Sequence, residues 1–211
     1  MYIRRASPGN AGLFAVIDNE SQRWETDRVS RNVKGTFFVD YVRIIRSRKD
    51  VDWSRHLEPG DLELISGRIE PDRWYPLEIF ERMGLAILQE LVGGNMEAAF
   101  RWGRHYMDWL FEIHDTLIVK GDPLESLMRF HMLRKSFFDF DALALDGLMG
   151  TEARLTIQYG LSRTAEEASV RQTLGFFERL LELSGAEGVT YVFVQRSWEG
   201  APSTIIQLRW S

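Results

Sequence analysis

The apolar positions of this chain follow two rhythms, and the change between them divides it. Residues 11–18, AGLFAVID, form a short apolar run that predicts a strand. DNES follows as a turn and QRWETDRV returns as a polar partner, so residues 1–32 predict a hairpin extension ending in SRN. From Val33 the period becomes helical. VKGTFFVDYVRIIRSRK places Phe37, Tyr41, Ile44 and Ile45 on one face. It ends in Arg46, Arg48 and Lys49, a basic last turn suited to the negative end of a helix dipole. Residues 53–76 hold three Pro and two Gly and read as loop with short extended pieces. Pro76 opens a helix with Phe80, Met83, Ile87, Leu88 and Leu91 on its apolar face; Gly93-Gly94 stops it and Asn95 caps the next. That helix, residues 96–114, repeats Ala99, Trp102, Tyr106, Trp109, Leu110 and Ile113 as a buried stripe. Its Gly103 leaves room for a second backbone or a flat ligand. Asp122-Pro123 opens a shorter helix, to about Arg134, carrying Leu124, Leu127, Met128 and His131.

Residues 137–148, FFDFDALALDGL, predict one more short helix. Asp139 and Asp146 fall on its polar side, whereas Asp141 falls among Phe137, Phe140, Ala144, Leu145 and Leu148. Such a carboxylate needs a hydrogen-bond partner. It is either an N-cap, accepting from the backbone of Leu143 or Ala144, or a pocket acid paired with Arg163. EARLTIQYG then alternates, with Ala153, Leu155, Ile157 and Tyr159 on one side and Arg154, Thr156 and Gln158 on the other. Thr164 and Glu167 form a capping box for a helix built on Val170, Leu174, Phe177 and Leu181 and ended by Gly185. VTYVFVQRSW and STIIQLRW, joined by EGAP, predict a closing hairpin. The order places the chain in the α+β class: an N-terminal helical half packed on a mainly antiparallel C-terminal sheet, with the hairpin added in front.

Composition narrows the chemistry. The 211 residues are 45% hydrophobic and 12% aromatic, enough for a substantial core. A net charge of −5 argues against nucleic acid as a partner. The absence of cysteine excludes disulfides, thiolate metal sites and cysteine nucleophiles, and fits a reducing compartment. Leu13 to Ile17 is too short for a signal peptide, and no apolar run approaches the ~20 residues of a membrane span. The expectation is a cytoplasmic protein. Its four histidines, His56, His105, His114 and His131, show no HExxH spacing. No P-loop, dinucleotide glycine fingerprint or G-x-S-x-G elbow is present, so neither a catalytic set nor a metal site is expected.

Four motifs, in order, carry a resemblance. VKGTFFVDYV resembles the K-G-x-x-F opening helix of the heme-nitric-oxide/oxygen-binding (H-NOX) superfamily, which also holds the four-vinyl-reductase-like ligand-binding domains. FRWGRHYMDW resembles its aromatic F-G-x-x-F/Y helix, FDALALDGL its L-D-x-L-H heme helix, and YGLSR its tyrosine-serine-arginine propionate motif. The likeness runs from Val33 to Trp210 and is greatest to myxobacterial-type paralogues. It implies an H-NOX-like domain over residues 33–211 with a pocket between the helical and sheet halves. Ala144 stands where the resemblance places the heme-ligating histidine, and one residue too many separates Tyr159 from Ser162 and Arg163. Alanine cannot ligate iron, so a heme-free pocket without a cofactor is expected, His131 being the one substitute axial donor. Trp102, Tyr106, Trp109, Phe137, Phe140, Ala144 and Tyr159 are the candidate lining for a small apolar ligand, unless they simply fill a core. Ser162, Arg163 and Asp141 are the candidate anion or polar contacts. The implied function is a non-enzymatic sensor signalling through a protein partner, including a second copy of itself. The alternative is a scaffold or dimerisation protein with exposed strand edges and a filled pocket.

Overall fold

The helical and alternating stretches become two layers in a computed structural model of the protein, which describes residues 31–113 and 115–211. The hairpin expected within residues 1–32 lies almost wholly outside the described residues. β1 (Asn32–Lys34) runs directly into α1 (Gly35–Ser47). Glycine is required at that corner, because a Cβ on Gly35 would come within 2.1 Å of the Glu70 carbonyl oxygen. Phe38, Val42 and Ile45 of α1 are buried, while Phe37, Tyr41 and Ile44 lie half-buried beside them. The basic last turn is engaged by the chain itself: Arg46 donates to the carbonyls of Ile65 and Gly67, and Arg48 pairs with Asp50.

The segment read as loop holds α2 (Pro59–Ser66) and β2 (Trp74–Pro76). The breakers misled here because Pro59 and Gly60 sit in the first turn, where a missing N–H costs nothing. Asp61 fixes that turn, accepting from the Glu58 backbone N–H at 3.0 Å. It is buried and gripped by the Arg82 fork through two 2.7 Å bonds. β2 pairs antiparallel with β1, setting Tyr75 opposite Val33. α3 (Leu77–Val92) starts after Pro76 and stops at Gly93, whose φ of 58° suits glycine. Asn95 Oδ1 then caps α4 (Met96–Ile113) by accepting from Glu97 N–H. The stripe of α4 is narrower than expected: Ala99, Gly103, Tyr106, Met107 and Leu110 are buried, and Ile113 is 51% exposed. α5 (Pro123–Leu133) buries Leu127 and Phe130 and leaves Met128 exposed.

The helix expected over residues 137–148 is not there. Residues 137–142 are turn and bend, and β3 (Leu143–Met149) follows. Leu143 and Leu145 point inward while Ala144 and Asp146 are exposed, the period-two pattern of a strand with one wet face. Asp141 is exposed and caps no helix. β4 (Glu152–Ile157), α6 (Arg163–Leu183), β5 (Thr190–Gln195) and β6 (Thr204–Arg209) complete an antiparallel sheet of order β3-β4-β6-β5. The fold is α+β, with ββαββ rather than βαββ at its C-terminal end.

Two cores result. The first joins Phe38, Val42, Ile65, Tyr75 and Met83 of the N-terminal elements. The second joins the end of α4, α5, α6 and the inner face of the sheet, with Leu155, Ile157, Leu174, Phe177, Leu181 and Ile206 inaccessible to solvent. Phe37, Trp102, Phe138, Phe140 and Leu161 pack against both. α4 and α6 cross backbone to backbone. A Cβ on Gly103 would lie 1.7 Å from Gln172 O, and one on Gly175 2.0 Å from Phe100 O. Backbone, unlike a flexible side chain, cannot yield locally. Gly103→Ala is therefore expected to cost about 3 kcal/mol in urea unfolding. Gly60→Ala, whose Cβ would meet nothing within 4 Å, should be neutral or slightly stabilising.

Candidate functional site

Where the two cores meet, flat rings leave space between them. A cavity of about 80 Å³ is bounded by Phe37 of α1, Leu77 and Phe80 of α3, Gly103, Tyr106 and Leu110 of α4, and Phe130 and Arg134 at the end of α5. Phe137, Phe138, Leu143, Tyr159 and Leu161 close it from the sheet side, with Gln172, Thr173 and Phe176 of α6. Phe37 is the hub. Its ring stacks on Tyr106 at 5.3 Å and on Phe138 at 5.7 Å, and meets Phe137 edge-on at 5.2 Å. Gln172 and Phe80 separate this cavity from an outer pocket of about 160 Å³, walled by Gly84, Leu88, Ala99, Trp102 and Ala168.

Of the lining candidates read from the sequence, Tyr106, Phe137 and Tyr159 meet at the inner cavity and Trp102 lines the outer pocket. Phe140 lies beyond the cavity wall under the Arg31 guanidinium, 5.0 Å from its ring centroid. Trp109 packs tilted against Tyr106, ring centroids 5.3 Å apart, without lining either space. Ala144 is displaced altogether, facing solvent on β3. No helix carries it, so the assignment of a heme-ligand position to Ala144 falls. Phe138, which the aromatic-rich stretch also offers as lining, meets Tyr106, Phe137 and Tyr159 at the inner cavity; Phe37 and Phe130 are the lining rings that sequence reasoning misses. Phe37 lies on the apolar face of α1, but nothing local marks which neighbour that face meets.

The polar groups of the cavity differ in how they are satisfied. Tyr159 Oη donates to Thr173 Oγ1 at 2.6 Å, which itself donates to the Ser169 carbonyl. Tyr41 Oη, on the wall of the outer pocket, donates to Gln172 Oε1 at 3.2 Å. Arg134 donates to the carbonyls of Leu143 and His131 and so ties α5 to β3. Tyr106 Oη alone among these is buried without a partner. Burial pushes the pKa of all three phenols up, helped at Tyr106 by the Asp40 carboxylate, so they remain neutral hydroxyls.

The anion site expected at the start of α6 is held by the chain's own carboxylates. Ser162, not Thr164, occupies the N-cap, and its backbone N–H donates to Glu81 Oε1 at 2.9 Å. The buried Glu166 accepts from Leu161 N–H at 2.9 Å, Tyr159 N–H at 3.4 Å and Ser197 Oγ at 3.0 Å. Arg163 is exposed on a surface cleft beside Arg31, and among the described residues no ion pair joins it to Asp141.

The residues present do not fit a heme. The cavity is well below the about 300–1,000 Å³ of pockets that enclose larger ligands. None of the described histidines lines it: His56 bonds Glu90 at 2.5 Å, His105 is exposed, and His131 lies one residue past Phe130, outside the lining. Among the described residues no group of three or more His, Asp or Glu could hold a metal ion, and no helix is long and apolar enough to cross a membrane.

The three buried phenols set a testable alkaline limit. Unfolded tyrosine ionises near pH 10, so above that the unfolded chain binds fewer protons than the folded one. Stability is whole below about pH 10 and falls as pH rises beyond it. Phenolate absorbance of Tyr41, Tyr106 and Tyr159 should therefore appear together with loss of far-UV ellipticity; ionisation while the fold persists would contradict their burial.

No protein-family model and no curated protein matches the sequence. Solved structures do match by fold. An H-NOX protein from S. oneidensis in the Fe(II)NO ligation state superposes with a TM-score of 0.60 at 12% identity, over 84% of this chain and 99% of that one. A point mutant of T. Tengcongensis H-NOX gives 0.56 at 13% identity, over 84% and 97%. A mutant of the H-NOX protein from K. algicida, in the Fe(II) unliganded state, gives 0.57 at 9% identity, over 84% and 96%. The chain thus has an H-NOX-like α+β fold.

Proposed function

We propose that this chain is a non-enzymatic, heme-free sensor or ligand-binding domain that begins near residue 33. It admits a small, largely apolar molecule between its helical and sheet halves and relays the event to a protein partner. The supporting observation is the cavity at the seam of the two cores, apolar on nearly all sides. A ligand there touches α1, α4, α5 and α6 at once, so binding bears on how the halves pack. The lining contains no described histidine, which supports the heme-free reading, as does the aromatic filling of the space a macrocycle would need. A second reading, scaffolding or self-association, rests on the edge strand β5, where Val192 is 65% and Val194 62% exposed. Light scattering separates it: a monomer at high concentration with no co-purifying partner counts against it.

Two measurements on the full chain test the main reading. Hemin is expected to give no stoichiometric, sharpened Soret band; such a band would overturn the heme-free assignment. Xenon under pressure is expected to shift the methyl resonances of Leu77, Leu110 and Leu143. An unchanged methyl spectrum would sink the ligand-binding reading.

A further inference from the structure

We infer that the inner cavity and the outer pocket are two ends of one site, which takes an elongated neutral molecule and holds its carbonyl oxygen at the neck between them with Ser169 and Gln172. The inference rests on the ligand-binding reading above and gives it a ligand class.

The neck comes first. Phe80, Ser169 and Gln172 line both spaces, and neither space is sealed. Ser169 and Gln172 stand three residues apart on α6, so their side chains share one face of the helix. Both keep hydrogen-bonding capacity. Tyr41 Oη donates to Gln172 Oε1 at 3.2 Å, which fixes the amide and leaves the Nε2 hydrogens unclaimed. Thr173 Oγ1 donates to the Ser169 carbonyl, and among the described residues no hydrogen bond engages the Ser169 hydroxyl. Neither Ser169 Oγ nor Gln172 Nε2 is cut off from solvent in the way the Tyr106 hydroxyl is.

The chemistry of the neck selects the ligand. Two donors from different side chains at one place suit a single oxygen with two lone pairs, as a carbonyl has. Solvent that reaches the neck serves the same donors, so a ligand displacing it must bring an acceptor or lose affinity. The walls on either side are apolar: Leu110, Phe130 and Phe176 inside, Leu88, Ala99 and Trp102 outside. About 160 Å³ outside against about 80 Å³ inside leaves room for a longer arm toward the surface. A carboxylate would find no free cation. Arg134 is held by two carbonyls, and Glu81 brings a negative charge to the outer wall. An unpaired charge is costly to desolvate there. The class is therefore a neutral ketone, ester or amide with an apolar arm on each side of its carbonyl.

The test uses the full chain, methyl-resolved NMR titrations and three probes of equal heavy-atom number: 4-heptanone, the alkene in which a methylene replaces its oxygen, and hexanoate. The ketone is expected to shift methyls of Leu110 inside and Leu88 outside with one dissociation constant, and to bind more tightly than the alkene or hexanoate. Ser169→Ala and Gln172→Met should each weaken the ketone about two- to tenfold and leave the alkene unchanged. The ratio of ketone to alkene affinity is the readout, because a loosened fold weakens both alike. A ratio unchanged in both variants, hexanoate binding as tightly as the ketone, or shifts confined to one of the two spaces overturns the inference. The ligand-binding reading then still stands if xenon shifts the inner methyls. Failure of every probe, xenon included, overturns both.

Discussion

The backbone contact of α4 with α6 at Gly103 and Gly175 is the constraint on which the rest of this fold depends. Two helices normally stand 8–10 Å apart, held off by their side chains. Here each presents a glycine where the other presents a peptide carbonyl, so they approach as closely as backbones allow. The crossing is flanked by charge: Arg104 reaches Glu178 and Glu182, and Arg179 reaches Asp108 and Glu182. These pairs are partly exposed and weak one by one, so shape rather than charge sets the distance. α6 carries the inner face of the sheet and α4 carries Ala99 and Tyr106 toward the N-terminal elements. One crossing thus fixes the spacing between the two cores.

The cavity is what that spacing leaves over. Side chains on α1 and on the segment before β3 must fill a gap of set width, and they do so mostly with phenylalanine. Rings pack edge-on and offset, which leaves angular voids that aliphatic chains would close. An orphaned buried hydroxyl such as that of Tyr106 costs about 1–3 kcal/mol, a large term against a typical stability of about 5–15 kcal/mol. A single leucine at position 106 would remove the polar part of that cost.

The sequence made some of this legible and hid the rest for physical reasons. α3, α4, α6 and strands β4 to β6 follow from long, clean periodicity and ordinary caps. β3 did not, because it is an edge strand with a wet face: Asp146 and Gly147 break its β character, and Gly147 takes a φ of 59° at an irregularity in the ladder. Its LALD alternation is present in the residues, but the likeness of the stretch to a heme helix masks it. That likeness places Ala144 in the pocket and Asp141 on a helix cap. α2 was missed because Pro59 and Gly60 were counted as breakers when their position, before DLELIS, made them a helix start. Tyr106, Phe137 and Tyr159 are placed near the seam by the family resemblance, which implies a pocket between the helical and sheet halves. The orphan state of Tyr106 is not legible in this way, since it depends on what fails to lie opposite from four other elements.

The chain's own carboxylates complete the character of the site. The turn from Tyr159 to Ser162 exposes three backbone N–H groups at the start of α6, an arrangement that ordinarily attracts a charged group from outside. Here Glu166 and Glu81 satisfy all three, and the first of these carboxylates is buried. An anionic ligand approaching the cavity from this side would meet two negative charges where it needs donors. Arg163, the cation nearest that turn in sequence, faces a surface cleft instead. The three N–H groups of this turn are thus used by the chain itself, and Arg134, in the lining of the cavity, is held by the Leu143 and His131 carbonyls. What borders the space is mainly aromatic and aliphatic wall.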